Sequence, residues 1–398
     1  MNNDFRWSQE YPWIDFAFDF SRLPYSAWLA LGECGSICAH IANIPLAPEE
    51  WREMHQVYLA KGVLATTAIE GNTLSEEEVR KAIEGKLELP ESKDYLRQEV
   101  ENILGVFNEI AKQISGNALP DITPSLLRHY NEAVLAKLPL AEDVRPGVFR
   151  EHRVGVGAYR CPPQEFVPEM VGVLCERLRV FDDQVLDPCV RAILKAIVAH
   201  LYVAWIHPFG DGNGRTARLL EAMILLQSGV PSPAAHLLSN YYNATRSEYY
   251  RVLDKASKTK DPLVFVSYAI VGLRDELRDQ RTKLMDKVWK VVWKNHIYAT
   301  FGRKKSTDRT RRQQRLALDL AKQDRPLPLG SIKTLNAEIA VLYGSKRSMA
   351  TLRRDIQSLL ADELIRMEKE DHQSVYVTNV ERLRFLLPLK HQGKKRDA

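Results

Sequence analysis

The chain has 398 residues, of which 45% are hydrophobic and 27% charged, and its formal net charge is +5. This composition excludes a disordered or collagen-like chain and is typical of a globular protein with two or three domains. The N-terminus lacks the basic start and apolar run of a secretion signal, and the five cysteines show no zinc-binding spacing. Charged residues interrupt the most apolar stretch, 189–209. We therefore expect a cytoplasmic chain with free thiols and no membrane partner.

The positive charge is concentrated in the last quarter of the chain. Residues 1–300 carry 34 Lys and Arg against 39 Asp and Glu, whereas residues 301–398 carry 22 against 12. The net charges of the two parts are thus −5 and +10. A basic segment of this kind favours an anionic partner, such as nucleic acid, for the C-terminal part alone.

Apolar residues recur at helical spacing through most of the first 300 residues. The stretch 46–69 is amphipathic, and the capping box Ser75-Glu-Glu-Glu78 predicts a new helix that runs to Gly85. Residues 151–160 instead alternate with period two, which predicts a short β-hairpin on a mainly helical body. The further helical patterns cover residues 93–115, 124–136, 166–181, 186–206, 214–228, 245–256 and 262–295.

The pattern changes after about residue 296. Three helical patterns are followed by two strand-like runs within residues 364–377, which together predict a winged helix-turn-helix. Its recognition helix would carry cations able to meet phosphates or base edges of DNA, while a module used for protein contacts or dimerisation remains the alternative. The three helical patterns are 309–323, 331–342 and 346–361, and the cations are Lys346, Arg347, Arg353 and Arg354.

The segment from His207 to Arg218 joins two strongly apolar helical patterns. Its proline and glycines make it a loop whose backbone can approach a ligand closely. If a helix begins near Gly214, its free N–H groups and positive dipole end would hold an anion such as phosphate. Arg215 and Arg218 add guanidinium groups, Asp211 is a candidate Mg²⁺ ligand and His207 titrates near neutrality. These residues alone favour nucleotidyl transfer.

The sequence His207-Pro-Phe-Gly-Asp-Gly-Asn-Gly-Arg-Thr-Ala-Arg218 resembles the Fic-domain signature, His-Pro-Phe-x-Asp/Glu-Gly-Asn-Gly-Arg-x-x-Arg, at every position. Proteins of that family mostly transfer AMP from ATP to a hydroxyl side chain of a target protein and release pyrophosphate. The resemblance covers roughly residues 50–290. It implies a mainly α fold, a Fic-type helical bundle with a β-hairpin flap, followed here by the winged helix-turn-helix. The implied domains are 1–92, 93–295 and 296–398.

The resemblance implies a role for each residue of the motif. His207 would be the base that takes the proton of the target's Ser, Thr or Tyr hydroxyl, and Asp211 would be the Mg²⁺ ligand. The α-phosphate would meet an anion hole, and the β- and γ-phosphates would meet two arginine clamps. The anion hole comprises Gly212, Asn213 and Gly214, and the clamps are Arg215 and Arg218.

A second segment, Thr66–Asn72, is similar to the inhibitory motif of the same family, Ser/Thr-x-x-x-Glu-Gly/Asn. In the family this glutamate pairs with the second arginine of the signature, which implies a pair between Glu70 and Arg218 here. A carboxylate that satisfies the guanidinium competes with the γ-phosphate of ATP, so we expect autoinhibition. The alternative is that Glu70 is a solvated acid at the end of a helix.

Two weaker similarities concern the target and the base. Residues 147–150 and 154–157 resemble the lead-in and flap that align a target by strand addition, with Val154 and Val156 clamping the modified side chain. An ordinary surface hairpin is the alternative there. Tyr250 matches the aromatic residue that contacts adenine, whereas Ser257 stands where relatives have Asn.

Three functions remain open at this point. The leading prediction is an autoinhibited protein adenylyltransferase that uses ATP and Mg²⁺ and acts on a target protein. The second is a DNA-binding transcriptional regulator whose Fic body senses nucleotide. The third keeps the fold but transfers another nucleotide or phosphate-containing group. A homodimer is compatible with all three.

Overall fold

The structure is a computed structural model that describes residues 5–116, 118, 120–157, 159–181, 186–323, 325–344, 349–370 and 372–385. Its contacts divide the chain into two compact units, Met1–Arg281 and Thr282–Ala398. Both are mainly helical with small sheets, as the sequence predicts. Of the cations assigned to the recognition helix, Lys346 and Arg347 lie outside the described residues.

The first unit is a helical bundle with one two-stranded hairpin. Most helices predicted from the periodicity are observed within a few residues of their predicted ranges, whereas the helix predicted at 262–295 extends to Gly302 and the helices at 25–42, 232–235 and 237–244 are not predicted. The elements are α1 (Tyr25–Ala42), α2 (Pro48–Ala68), α3 (Glu76–Ile83), α4 (Asp94–Ser115), α5 (Pro124–Leu135), β1 (Gly155–Val156), β2 (Tyr159–Arg160), α6 (Val167–Arg179), α7 (Pro188–Ile206), α8 (Asn213–Gln227), α9 (Ser232–Ala235), α10 (Leu237–Ala244) and α11 (Arg246–Thr259). A further helix, α12 (Leu263–Gly302), begins in this unit and ends in the second.

Helices α7 and α8 form the centre of the first unit and pack against each other. Helix α7 has a mean hydropathy of 1.6, so by length and composition alone it could cross a membrane. Yet 78% of its most apolar window is buried inside the protein. Its all-round apolar surface is therefore that of a central helix covered by α1, α6 and α8.

Helices α2, α4 and α5 cover α8 from the other side. The α4 stripe of Leu96, Val100, Ile103, Phe107 and Ile110 is buried, at the spacing expected of an amphipathic helix. Helix α3 begins after Ser75, whose hydroxyl accepts from the Glu78 N–H at 3.3 Å. This capping box confirms the predicted helix start, and α2 also contacts α8.

The second unit buries its own core, which includes Trp293, Leu316, Ile339 and Leu359. Its elements are α13 (Asp308–Leu320), β3 (Leu327–Pro328), α14 (Leu329–Ile332), α15 (Ala337–Leu342), α16 (Met349–Ala361), β4 (Ile365–Glu370), β5 (Gln373–Thr378) and α17 (Glu381–Phe385). The strands form an antiparallel sheet in the order β3-β5-β4.

One predicted helix of this unit is wrong. The pattern at residues 331–342 predicts a single helix, but the structure has the two short helices α14 and α15. The side chain of Asn336 accepts from the Ile339 N–H at 2.8 Å and so starts α15 anew. Asparagine is among the strongest N-cap residues, and here the cap overrides the apolar periodicity.

A buried carboxylate joins three elements of the second unit. Asp355 on α16 accepts from Arg312 Nε at 2.6 Å, from Gln313 at 2.9 Å and from the Tyr343 hydroxyl at 2.9 Å. Its side chain is 1% exposed. Because a buried charge is costly without partners, these bonds fix α16 against α13 in one arrangement.

Candidate functional site

The loop between α7 and α8 reverses the chain with two residues in the left-handed region. His207 ends α7 at φ 50° and ψ 61°, and Gly212 precedes α8 at φ 76°. A positive φ costs little at glycine, but at histidine it has to be enforced by the surroundings. The loop therefore holds the imidazole in a conformation that the chain would not adopt by itself.

Asn213 at the start of α8 closes this loop. Its side-chain oxygen accepts from the Phe209 N–H, and its amide donates to the Phe209 carbonyl, both at 2.9 Å. The resemblance described above implies instead that Asn213 belongs to the anion hole for the α-phosphate. In the structure both ends of the amide are occupied, so Asn213 shapes the loop and offers an anion only its backbone N–H.

Arg150 holds the other side of the same loop. Its guanidinium donates to the carbonyls of His207 at 2.8 Å and of Ile206 at 3.3 Å, and also to His152 and Pro162. The Arg150 N–H donates to the Pro208 carbonyl at 3.0 Å. Arg150 is 5% exposed. One buried side chain thus connects the end of α7 with the chain on both sides of the hairpin.

The imidazole of His207 is neutral at physiological pH. Burial lowers its pKa to about 4, and the positive charge of Arg150 acts in the same direction, while Glu70 and Asp211 oppose it. Its Nδ1 lies 3.4 Å from the Ala204 carbonyl. Because that contact requires a proton on Nδ1, Nε2 carries the free lone pair and can accept a proton from a substrate.

Arg218 is 2% exposed, and residues at the end of α2 satisfy it. Its Nε donates to the Thr66 hydroxyl at 2.7 Å, and one Nη donates to the Thr66 carbonyl at 3.0 Å and to Glu70 Oε1 at 2.6 Å. The structure thus places together the two residues that the sequence motifs pair. Burial raises the pKa of the Glu70 carboxyl, but the attraction of Arg218 outweighs it and lowers the pKa below its ordinary value.

The Glu70 carboxylate also covers the start of α8. A Cβ atom built on Gly214 would lie 2.4 Å from Glu70 Oε1 and 3.0 Å from Arg218 Nη1. Glycine is therefore required at position 214 for this approach. The first N–H groups of a helix and its positive dipole end attract anions, so Glu70 lies where a phosphate would be bound.

Arg215 has different partners from those of Arg218. Its Nη1 donates to Glu99 Oε1 at 2.6 Å, and its Nη2 lies 3.3 Å from Asp211 Oδ1. The other oxygen of Glu99 accepts from the Asn72 amide at 2.9 Å. Burial raises the pKa of Glu99, against the lowering effects of Asn72 and Arg215. These contacts connect the segment that carries Glu70 with the loop that carries Asp211.

A cavity of about 820 Å³ lies between the loop that joins α7 to α8, the hairpin and α11. Six of the residues predicted from the sequence line it, namely Glu70, Val156, His207, Gly214, Arg218 and Tyr250. The predicted residues that are not among its lining residues are Val154, Asp211, Gly212, Asn213 and Arg215. The volume lies within the range of small-molecule sites and is large enough for a nucleotide.

The α11 wall of the cavity carries the candidate base contacts. The Tyr250 hydroxyl donates to the Ile69 carbonyl at 3.3 Å. The Ser257 hydroxyl accepts from Trp205 Nε1 at 3.0 Å and donates to the Leu253 carbonyl at 2.9 Å. Protein partners thus occupy the Ser257 hydroxyl, and the Tyr250 ring remains the candidate surface for a base.

Asp211 is the one carboxylate of the loop and its side chain is 49% exposed. One of its oxygens accepts from the Gly212 N–H at 2.5 Å and contacts Arg215. Among the described residues, no group of three or more His, Cys, Asp or Glu could hold a metal ion by itself. A single exposed carboxylate nevertheless fits Mg²⁺ that is held mainly by substrate phosphates and water.

Two residues of this site, Arg150 and Glu99, are not predicted as site residues, although Arg150 ends the segment 147–150 that resembles the lead-in to the flap. Arg150 lies 57 residues from the histidine whose carbonyl it binds, and Glu99 lies 116 residues from Arg215. A buried arginine after a turn and a glutamate on the buried side of an amphipathic helix are the available hints. Their partners follow only from the tertiary fold.

Known proteins share sequence similarity with the part of the chain that forms this site. Residues 121–225, which include the loop and the start of α8, match the model of the Fic/DOC family. The chain therefore carries a Fic/DOC domain there. Protein adenylyltransferase fic-1 of Caenorhabditis briggsae is 29% identical over 219 residues, 55% of this chain and 40% of the relative. The Caenorhabditis elegans protein of the same name is 30% identical over 206 residues, which are 52% of this chain and 38% of the relative. The chain thus spans about 40% of these relatives' length.

Solved structures of the family are similar in fold. A Fic family protein from Desulfovibrio desulfuricans G20 matches with a TM-score of 0.54 and 22% identity over 89% of this chain and 96% of that chain. Fic-1 of C. elegans, residues 134–508, matches with a TM-score of 0.53 and 26% identity over 66% of this chain and 73% of that chain. The first similarity concerns the fold alone.

Proposed function

We propose that the chain is a protein adenylyltransferase, which transfers AMP from ATP to a Ser, Thr or Tyr hydroxyl of a target protein. The observation that carries this proposal is the shared cavity, where a neutral His207, the start of α8 and the buried Arg218 face the same space. The relatives named protein adenylyltransferase support the same chemistry.

In the proposed reaction the target hydroxyl oxygen attacks the α-phosphorus of ATP. The bond between the α-phosphorus and the bridging oxygen breaks, pyrophosphate leaves, and Nε2 of His207 takes the hydroxyl proton. The imidazole is neutral at physiological pH, so its Nε2 lone pair is available to accept this proton. The N–H groups at the start of α8 stabilise the charge that develops on the phosphoryl oxygens, usually a larger contribution than the base.

Asp211 would hold Mg²⁺ in this proposal, because its exposed carboxylate lies at the edge of the loop. The ion would neutralise phosphate charge. Arg218 and Arg215 would bind the outer phosphates, since guanidinium groups match phosphate oxygens in geometry and charge. For Arg218 this requires that Glu70 leaves it.

We propose that the structure described here is an inhibited state, in which Glu70 prevents productive binding of ATP. Its carboxylate occupies both the guanidinium of Arg218 and the space beside Gly214. A hydrogen bond to a charged group contributes about 1.5–3 kcal/mol, which corresponds to about 10- to 150-fold in ATP affinity. The segment Thr66–Asn72 would thus act as a built-in competitor of the γ-phosphate.

The hairpin would align the target. In the structure Val156 lines the cavity and is 42% exposed, while Val154 accepts from the Cys161 N–H at 3.3 Å through its carbonyl. An exposed two-residue strand is suited to pairing with an extended peptide. Tyr250 would stack on the adenine, because its aromatic side chain lines the same cavity.

The direct test is labelling with radioactive ATP. We expect Glu70→Gly protein to label itself or a lysate protein at least about tenfold faster than the native chain, since Arg218 becomes available. His207→Ala should abolish labelling in both backgrounds. Glu84→Gly, which removes an exposed acid paired with Lys86, is the matched control and should behave like the native chain.

The outcome also separates the alternatives. Labelling from UTP or from a phosphocholine donor, but not from ATP, would mean that the chain transfers a uridylyl or phosphocholine group instead of an adenylyl group. Absence of labelling with any donor from Glu70→Gly protein that still binds ATP would favour nucleotide sensing over transfer. Mass spectrometry of the labelled residue decides which group has been added.

For the C-terminal part we propose a winged helix-turn-helix that binds DNA. Four helices, α13 to α16, precede the hairpin of β4 and β5, and β5 lies between β3 and β4 in the sheet. Arg353 and Arg354 are exposed on α16, in a segment of net charge +10. This arrangement suits insertion of α16 into the major groove.

Fluorescence anisotropy with labelled duplex DNA tests the DNA-binding proposal. We expect binding that weakens steeply between about 50 and 200 mM salt and that is reduced in the Arg353→Ala/Arg354→Ala variant. No binding at the lower salt concentration would leave a protein-contact module, including a homodimer interface, as the remaining interpretation. We also propose a cytoplasmic location and a division of the chain into three domains, 1–92, 93–295 and 296–398.

A further inference from the structure

Glu99 on α4 links two parts of the site that the sequence motifs treat separately. One carboxylate oxygen accepts from Arg215 at 2.6 Å, and the other accepts from the Asn72 amide at 2.9 Å. The side chains of Arg215 and Glu99 are 5% and 14% exposed. A charge-assisted bond this well shielded from water restricts a long arginine side chain to one rotamer.

One nitrogen of the Arg215 guanidinium has no hydrogen-bond partner among the described residues. Its two terminal nitrogens face Glu99 and Asp211, whereas its Nε is buried and has no hydrogen-bond partner among the described residues. A buried donor without an acceptor is costly, and in functional sites such a donor commonly awaits a ligand oxygen. Arg215 lies in the first turn of α8, where a phosphate would supply that oxygen.

Asn72 is itself fixed on three sides. Its amide donates to the Leu96 carbonyl as well as to Glu99, and its side-chain oxygen accepts from the Leu74 N–H at 3.1 Å. It is 6% exposed. The orientation of the Glu99 carboxylate is therefore set by the residue that ends the segment carrying Glu70.

We infer that Glu99 is a positioning residue, which holds Arg215 ready for a phosphate oxygen of the nucleotide, and that Asn72 completes this support. The inference rests on the proposed function. It gives the segment Thr66–Asn72 two opposite effects on the same reaction. Glu70 keeps a phosphate away from Arg218, whereas Asn72 prepares Arg215 to receive one.

The test compares variants in the Glu70→Gly background, where the competitor is absent. Glu99→Gln keeps the size of the side chain but removes its charge, so Arg215 regains rotamer freedom that ATP binding must then remove. We expect KM for ATP to rise about tenfold, with kcat changed less than about threefold. Asn72→Ala should raise KM in the same direction by a smaller factor.

A cycle with Arg215 separates positioning from a general structural effect. If Glu99 acts through Arg215, Glu99→Gln has no further effect on kcat/KM once Arg215 is replaced by Ala. Glu101→Gln is the control, because Glu101 lies on the same helix in an exposed pair with Arg97. It should leave KM unchanged, and thermal unfolding of each variant confirms that the fold is intact.

Two results would overturn the inference. One is a KM for Glu70→Gly/Glu99→Gln within about twofold of that of Glu70→Gly alone, and the other is an undiminished effect of Glu99→Gln in the Arg215→Ala background. Failure of the proposed function is recognised separately, as absence of labelling from the Glu70→Gly protein. Calorimetry of MgATP binding to Glu70→Gly/His207→Ala, with and without Glu99→Gln, then still decides the inference by the expected tenfold change in Kd.

Discussion

The protonation of His207 offers a quantitative test of the site geometry. Burial and the charge of Arg150 lower its pKa to about 4 from an ordinary value near 6.5. At pH 5.5 a group with a pKa of 4 is about 97% neutral, whereas one with a pKa of 6.5 is about 9% neutral. We therefore expect kcat of the Glu70→Gly variant to be nearly constant between pH 7.5 and 5.5, rather than to fall about tenfold. The fall belongs at more acidic pH, because the base is lost only as the imidazole takes up a proton.

Nuclear magnetic resonance gives the same quantity without turnover. The native chain labelled with ¹³C-histidine is titrated from pH 8 to 3, and the His207→Ala variant identifies the resonance. Because the negative charge of Glu70 raises this pKa, the Glu70→Gly variant should titrate at a still lower pH. A midpoint near 6.5 in the native chain would refute the reasoning, since it would mean that water solvates the imidazole and that the loop does not hold it as described.

Two further predictions concern packing. Gly62→Ala should destabilise the first unit by about 1–3 kcal/mol, because the added Cβ would lie 2.7 Å from the His236 ring, whereas Gly105→Ala, where no atom lies within 4 Å, should be neutral or stabilising. Asp355→Asn should lower the stability of the second unit by about 3 kcal/mol, since it leaves Arg312 without its buried counter-charge. Calorimetric unfolding of the full chain measures both, with the exposed Asp308→Asn as the control for the second. An unchanged transition in either case would show that the packing around that residue differs from the structure.

The sequence predicts those parts of the fold that depend on local signals. The capping box at Ser75 and the period of α4 are such signals, and both are observed. Helix α1 has no prediction, because apolar residues such as Leu29 also lie on its exposed face and obscure in the sequence the single buried stripe that the structure shows. Strand β3 has two residues, too few to show any alternation.

In the site, too, the sequence predicts what depends on local signals and not what depends on tertiary contacts. The motif at residues 207–218 identifies a loop and a helix start by their glycines, and Glu70 and Arg218 are matched by resemblance. What the motif does not contain is the direction of each side chain. Asn213 binds the backbone of Phe209, and Arg215 binds Glu99, because tertiary packing supplies partners that are distant in sequence.

The binding of four carbonyls by Arg150 has a mechanical consequence. Its planar guanidinium acts as a rigid coupling between the hairpin and the residue that bears the imidazole. If a polypeptide docks on the hairpin and displaces it by a fraction of an ångström, Arg150 therefore transmits the displacement to the backbone of His207. The position of the docked polypeptide and the orientation of the imidazole are thereby coupled.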